Sequence, residues 1–267
     1  MKNSQVPPNT LRCLAVNMHY LKTNTCNSAQ VVSNQNTQHV TAMQNANCLG
    51  VILAGGLSSR MGQDKSQLMH NRDNISMLDY SKKLLKSSGI EHIITSGDEH
   101  QVADIIPQAG PVGGIYSVLS HFTGPVQPKG LLILPVDLPL MSAKALTELR
   151  IKGELSQKAT YFTDSQGSNH HIPLYLPNNA YLALFLEQAF QNGFLTSQKN
   201  ASQSGVNSFT KSNIKNSRES SPKSKKNGPS IKQLLSKVPS QAITCTHDNA
   251  LFNTNTPQQW QQANQYL

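Results

Sequence analysis

The sequence predicts one α/β domain, a Rossmann-like, doubly wound and mostly parallel sheet, preceded by a polar tail and interrupted by a long polar insertion. Three observations predict it. Two continuous apolar runs, residues 49–54 and 131–136, have the length of a strand and no polar face, as a strand covered on both sides requires. Segments with apolar residues at helical spacing alternate with further short apolar runs, the order expected when crossover helices link parallel strands. Two stretches, 1–47 and about 194–230, are dominated by Asn, Gln, Ser, Thr and Lys. They hold too little apolar surface to offset the entropy of ordering, so both are expected to be disordered. The domain is then 48–267, broken at 194–230, and what remains suits a single core.

The elements follow in chain order. The run at 49–54 ends on Gly55-Gly56. An amphipathic helix is predicted over 75–88, stopped by Gly89, and a strand over 92–95. Helices at 113–122 and 142–152 flank the strand 131–136, which ends on Asp137. Residues 159–163 and 171–176 read as strands about a polar turn at 164–169. The segment 179–191 is apolar on nearly every side and reads as a buried helix, with Tyr181, Phe185 and Phe190 at helical spacing assigned to the core. The pattern resumes with a helix at 231–238 and a strand at 242–246. A last helix starts at Thr256, which can cap it, with Pro257 at the first helical position and Gln259 completing a capping box. Ordered pattern on both sides makes the insertion a surface loop within one domain. Both polar stretches are expected to be dispensable, with Met43 as the natural start.

Charge narrows the function classes. The net charge is +9, yet it sits in the two polar stretches. Residues 1–47 carry Lys2, Arg12 and Lys22 with no acid, and 194–230 carry six Lys and Arg218 against Glu219 alone. The rest holds basic and acidic residues in equal number, so no basic groove for nucleic acid is indicated. Cys13, Cys26, Cys48 and Cys245 form no CxxC pair, which argues against a disulfide framework or a zinc site. No apolar run approaches the ~20 residues of a membrane span, and polar residues with Arg12 break the short apolar run near the start. The expected compartment is the cytoplasm.

The segment Leu53-Ala54-Gly55-Gly56-Leu57-Ser58-Ser59-Arg60-Met61-Gly62-Gln63-Asp64-Lys65 carries the chemistry. It leaves a buried strand, turns on two glycines, and offers backbone N–H groups unobstructed by side chains. Arg60 and Lys65 add positive charge. N–H donors and cations together suit a triphosphate, because charge moves onto the departing pyrophosphate when it is cleaved. Neither G-x-x-x-x-G-K-[ST] nor G-x-G-x-x-G is present. Asp137, at the end of a buried strand, stands at the carboxyl edge where ligands of parallel sheets bind. It could hold Mg²⁺, which keeps several waters and needs few protein ligands. His170-His171 would point to opposite faces of a strand and cannot easily chelate one ion.

The thirteen residues from Leu53 to Lys65 resemble L-A-G-G-x-S-x-R-M-G-x-D-K, the phosphate-binding signature of the molybdenum cofactor guanylyltransferases. Gly110-Pro111-Val112-Gly113-Gly114-Ile115 is similar to that family's G-P-[LV]-[AG]-G-[IM] turn, Leu134-Pro135-Val136-Asp137-Leu138-Pro139 to its P-C-D-x-P, and Phe252-Asn253-Thr254-Asn255-Thr256-Pro257 to its F-x-N-x-N-T-P. The resemblance implies transfer of GMP from GTP to the terminal phosphate of Mo-molybdopterin with release of pyrophosphate, and molybdoenzyme maturation proteins as partners. It implies Arg60, Lys65 and Asp137 as catalytic residues, and Leu53, Ala54, Gly55, Gly56, Lys65 and Asp137 at the nucleotide. It further implies Asp137 on Mg²⁺, and Asn253 and Asn255 beside the pterin phosphate. Departures are Val136 for the usual Cys, Gln108 where an Asp often precedes the G-P turn, and Ser96 or Gly97 for an Asn. Ile172 stands where the family has His or Gln before Pro, and Pro229-Ser230 lacks the Arg of a G-x-R-S turn. Other readings are a cytidylyltransferase for the same pterin and a noncatalytic nucleotide-binding protein. Ala54-Gly55-Gly56 favours guanine, since the cytidine-using relatives more often carry Ala-Ala-Gly.

Overall fold

The computed structural model describes residues 47–55, 64–122, 124, 127–191, 228–247 and 249–267. The expected tail and most of the insertion lie outside the described residues. Strands β1 (Cys48–Leu53), β4 (Ile93–Ser96), β5 (Gly130–Pro135), β7 (Asn169–Pro177), β6 (Ala159–Thr163) and β8 (Ser240–Thr244) form one sheet in the order β4-β1-β5-β7-β6-β8. β1 pairs in parallel with β4 and β5, and β6 with β8, while β7 runs against both of its neighbours. Five strands therefore share one direction.

The unbroken apolar strands are explained by two cores. Leu49, Val51, Leu131 and Ile133 face helices α2 (Gly110–His121), α4 (Ala180–Leu186) and α5 (Ile231–Leu235). Ile52, Leu132, Leu134, Phe162 and Tyr175 face α1 (Met77–Ser87) and α3 (Ala143–Ser156). Such a fully buried Leu or Ile contributes about 1.5–3 kcal/mol. Gly50 lets the second layer close in, because a Cβ there would lie 2.9 Å from Ile90. A last helix, α6 (Pro257–Asn264), starts as the sequence predicts, with Thr256 and Gln259 in a capping box and Pro257 in the first turn.

Two expectations are corrected. The helix expected from residue 75 begins at Met77, because Ile75–Ser76 pairs as strand β3 with Met69–His70, strand β2, in a small hairpin. Ser76 instead caps the helix, its hydroxyl accepting the Asp79 N–H. The segment 179–191 is not buried all round. It runs as α4 and then as a π-helical turn, Glu187–Gln191, and leaves Tyr181 57% and Leu184 54% exposed. The neighbouring layer covers one stripe of it, where Leu182, Leu186 and Phe190 are buried. Phe190 lies 4.7 Å from the Tyr116 ring, and Phe185 is partly buried beside it. Tyr181 is thus a surface residue.

The winding places the site. From β1 the chain passes through α1 to β4 on one side, then back through α2 to β5 on the other. The carboxyl ends of the three strands are level, with Leu53 paired to both Ser96 and Pro135. The crevice outside this point of reversal is where open α/β sheets bind ligands.

Candidate active site

The glycine turn leaves β1 pressed against the end of β4. Ala54 N–H and Gly55 N–H both donate to the Ser96 carbonyl, at 3.0 and 3.2 Å. A Cβ on Gly97 would lie 2.9 Å from Gly55 N, and one on Gly55 would lie 3.2 Å from Gly97 Cα. Backbone therefore meets backbone, and neither position admits a side chain without displacement. These two N–H groups are committed to the sheet, so donors for a phosphate must come from beyond Gly55. Gly56 and Arg60 lie outside the described residues. The described chain resumes at Asp64, whose carboxylate accepts Ser66 N–H at 2.9 Å and Ser66 Oγ–H at 2.6 Å. That cap fixes a single 3₁₀ turn, Lys65–Gln67, from which Lys65 projects.

Three distant segments converge on Lys65. Its Nζ donates to Asp137 Oδ2 at 3.1 Å and to Asn255 Oδ1 at 2.7 Å. The Lys65 and Asp137 side chains are 17% and 16% exposed. Thr254, itself buried, donates both its N–H and its hydroxyl to the Asp137 carbonyl, at 3.0 and 3.1 Å. The α6 capping box then sets Asn255, whose N–H donates to Gln259 Oε1 at 2.8 Å. Asn253, on the other side of Thr254, is exposed, and no described hydrogen bond joins it to Lys65 or Asp137. The structure thus brings together Lys65, Asp137 and Asn255, with Leu53, Ala54 and Gly55 at the adjacent strand end.

Asp137 Oδ1 is buried and has no hydrogen-bond partner among the described residues. Leaving such an atom unsatisfied costs about 1–3 kcal/mol or more, and a hard cation would remove that cost. Among the described residues no group of three His, Cys, Asp or Glu could enclose a metal. A cation at Asp137 would complete its shell with water and ligand oxygens, which suits Mg²⁺.

One functional candidate was missed by the sequence reading. Asp104 Oδ2 lies 3.7 Å from the place a Cβ on Gly55 would take, so its carboxylate faces the glycine turn. Burial raises its pKa from the ordinary carboxylate value, the nearby Asp98 charge adds to this, and the neighbouring Ser96 hydroxyl opposes it. Gln108, expected to replace an acid here, is instead exposed in a left-handed conformation with φ 58°. No spacing in the sequence marks Asp104. It becomes visible once β4 pairs with β1. The two adjacent histidines part as expected, His170 towards Asp164 at 3.2 Å and His171 towards the Tyr161 ring at 5.3 Å.

Residues 50–199 match the family described as MobA-like NTP transferase domain. A molybdenum cofactor guanylyltransferase of Xanthomonas euvesicatoria pv. vesicatoria (strain 85-10) is 41% identical over 104 residues, 38% of this chain and 52% of that protein. The chain thus spans about half the length of this curated relative. A solved structure of molybdopterin-guanine dinucleotide biosynthesis protein A from Archaeoglobus fulgidus superposes with a TM-score of 0.52 at 15% identity, covering 82% of this chain and 97% of that one. The structure of Rv0371c from Mycobacterium tuberculosis H37Rv gives 0.50 at 13% identity, covering 83% and 100%. At these identities the likeness shows a shared fold.

Proposed function

The chain belongs to the MobA-like NTP transferase domain family, and from that premise we propose that it transfers GMP from GTP to the terminal phosphate of Mo-molybdopterin. The observation that carries this reading is the Lys65 ammonium, held between Asp137 and Asn255 at the carboxyl ends of β1 and β5. An oxygen of the acceptor phosphate bonds to the α-phosphorus of GTP, the bond to the bridging α–β oxygen breaks, and pyrophosphate leaves with the electron pair. The attacking oxygen is already anionic at neutral pH, so no general base is needed. Positioning and charge stabilisation supply the rate.

Lys65, with Arg60 from the same sequence motif, neutralises charge growing on the pyrophosphate. Asp137 would hold Mg²⁺ through its unpartnered Oδ1, and the ion when bound supplies Lewis-acid stabilisation of the phosphoryl oxygens. Asn255, bonded to Lys65, stands where nucleotide and acceptor meet, and Asn253 beside it faces outward to the pterin phosphate. Asp104 supports the choice of base. Its two carboxylate oxygens can accept both N1–H and N2–H of guanine, whereas cytosine offers the single N4 amino group.

One extra hydrogen bond to a charged group is worth about 1.5–3 kcal/mol, so GTP should bind at least about tenfold tighter than CTP. Calorimetry with GTP, CTP, ATP and UTP in Mg²⁺ tests this. The Asp104→Asn variant should lose most of the preference while leaving CTP affinity nearly unchanged. Equal affinity of the native chain for GTP and CTP would remove guanine from the proposal.

A further inference from the structure

The Lys65 turn and the Asp137 turn are joined by a buried histidine. His70 lies in β2, five residues after Lys65, and is 1% exposed. Its ring lies flat on Tyr80 of α1, with centroids 3.8 Å apart and planes 12° from parallel. Nδ1 lies 3.3 Å from the Asp73 N–H and 3.4 Å from the Asp73 carboxylate, while Nε2 lies 3.1 Å from the Pro139 carbonyl oxygen, which can only accept, so Nε2 carries a proton. Burial pushes the imidazole pKa down, against the Pro139 hydrogen bond and the Asp73 charge, which raise it.

An apolar side chain would fill this space without the desolvation cost of an imidazole. The polar ring is warranted by its two backbone partners, one in the hairpin and one two residues beyond Asp137. The same turn is held at its far end by Tyr80, whose hydroxyl donates to the Met141 carbonyl at 2.7 Å. Thr254 holds the Asp137 carbonyl itself. Of these ties, the one from His70 starts on the segment that carries Lys65.

We propose that His70 is a positioning residue, which holds the Asp137 turn at a set distance from the Lys65 turn by donating its Nε2 proton to Pro139 O. The proposal rests on the reading of Asp137 as a residue of the transfer reaction. His70→Phe keeps the ring and its stacking on Tyr80 but removes both hydrogen bonds. His70→Gln keeps an amide donor of similar reach.

The test is a double-mutant cycle on the full chain, with GTP, Mg²⁺ and Mo-molybdopterin, alongside amide hydrogen exchange. His70→Phe should lower kcat about tenfold, the scale of a sub-ångström misplacement of a reacting group, with little change in KM for GTP. His70→Gln should restore most of the loss. If His70 acts through Asp137, the double variant His70→Phe/Asp137→Asn is no slower than Asp137→Asn alone. Losses that multiply would overturn the proposal. Exchange at Thr254 and across residues 137–141 should rise in His70→Phe and not in His70→Gln, and unchanged exchange would equally overturn it. Full turnover by Asp137→Asn would instead remove the premise, and exchange would then still decide whether His70 holds the turn. If His70→Phe does not fold, His70→Asn, too short to reach Pro139, takes its place in the same cycle.

Discussion

The Lys65 ammonium lies 3.1 Å from Asp137 and 2.7 Å from Asn255, so segments separated by 72 and 190 residues meet at one charge. Asp137 keeps its second oxygen for another partner. Asp137→Asn should therefore fold, since the amide oxygen still accepts from Lys65, yet turn over about two orders of magnitude more slowly. Steady-state rates at saturating Mg²⁺ check this, and a near-normal rate would place the metal elsewhere. The position of Asp137 was legible because it stands where an apolar run ends, whereas Lys65, twelve residues beyond its strand, was marked only by the motif that it closes. Asp104 was not, because a lone acid in a loop carries no period that tells which backbone it will face. Of the N–H groups that the segment was expected to offer, those of Ala54 and Gly55 are spent on Ser96, a pairing set by the neighbouring strand and invisible along the chain.

At the scale of the element, α3 packs on the sheet through a glycine. A Cβ on Gly153 would land within the Tyr175 ring, and Tyr175 is itself 1% exposed with no room to retreat. Gly153→Ala should therefore destabilise by about 1–3 kcal/mol despite the better helix propensity of alanine. A urea midpoint unchanged by the substitution would show that the ring moves aside. Continuous apolar runs made β1 and β5 legible, and apolar residues at helical spacing did so for α2 and α3, to within a few residues. The β2–β3 hairpin was not, since strands of two residues have no measurable period, and it is this hairpin that carries His70. On α4 the sequence overstated burial. Composition marks Tyr181 and Leu184 as apolar, but the layer on that side of the sheet covers a single stripe of the helix.

For the whole molecule, alternation of strand and helix was enough to predict a mostly parallel, doubly wound sheet. The reversed direction of β7 depends on the turn closed by Asp164, whose side chain accepts the N–H groups of Gln166 and Ser168. The same assembly sets the response to pH. Burial lowers the pKa of His70 and of His171, with Lys232 and His170 adding to the effect at the latter. Unfolded histidine titrates near about 6.5, so below that the unfolded chain takes up protons that these folded rings refuse. Their contribution is complete above about pH 6.5 and is lost as pH falls below it. Asp104, raised in the fold, acts in the opposite sense in a lower window beginning near about 3.9. The melting temperature should thus fall between pH 7 and pH 5, and fall less in His70→Phe. A flat profile for the native chain would contradict the lowered pKa of these two histidines. One measurement tests the proposed transfer most directly. GTP labelled at the α-phosphorus is incubated with the full chain, Mg²⁺ and Mo-molybdopterin, and the pterin product and pyrophosphate are counted. The account predicts label in a pterin–guanine dinucleotide with one pyrophosphate released for each. Label that stays in GTP, or a dinucleotide formed equally well from CTP, would contradict it.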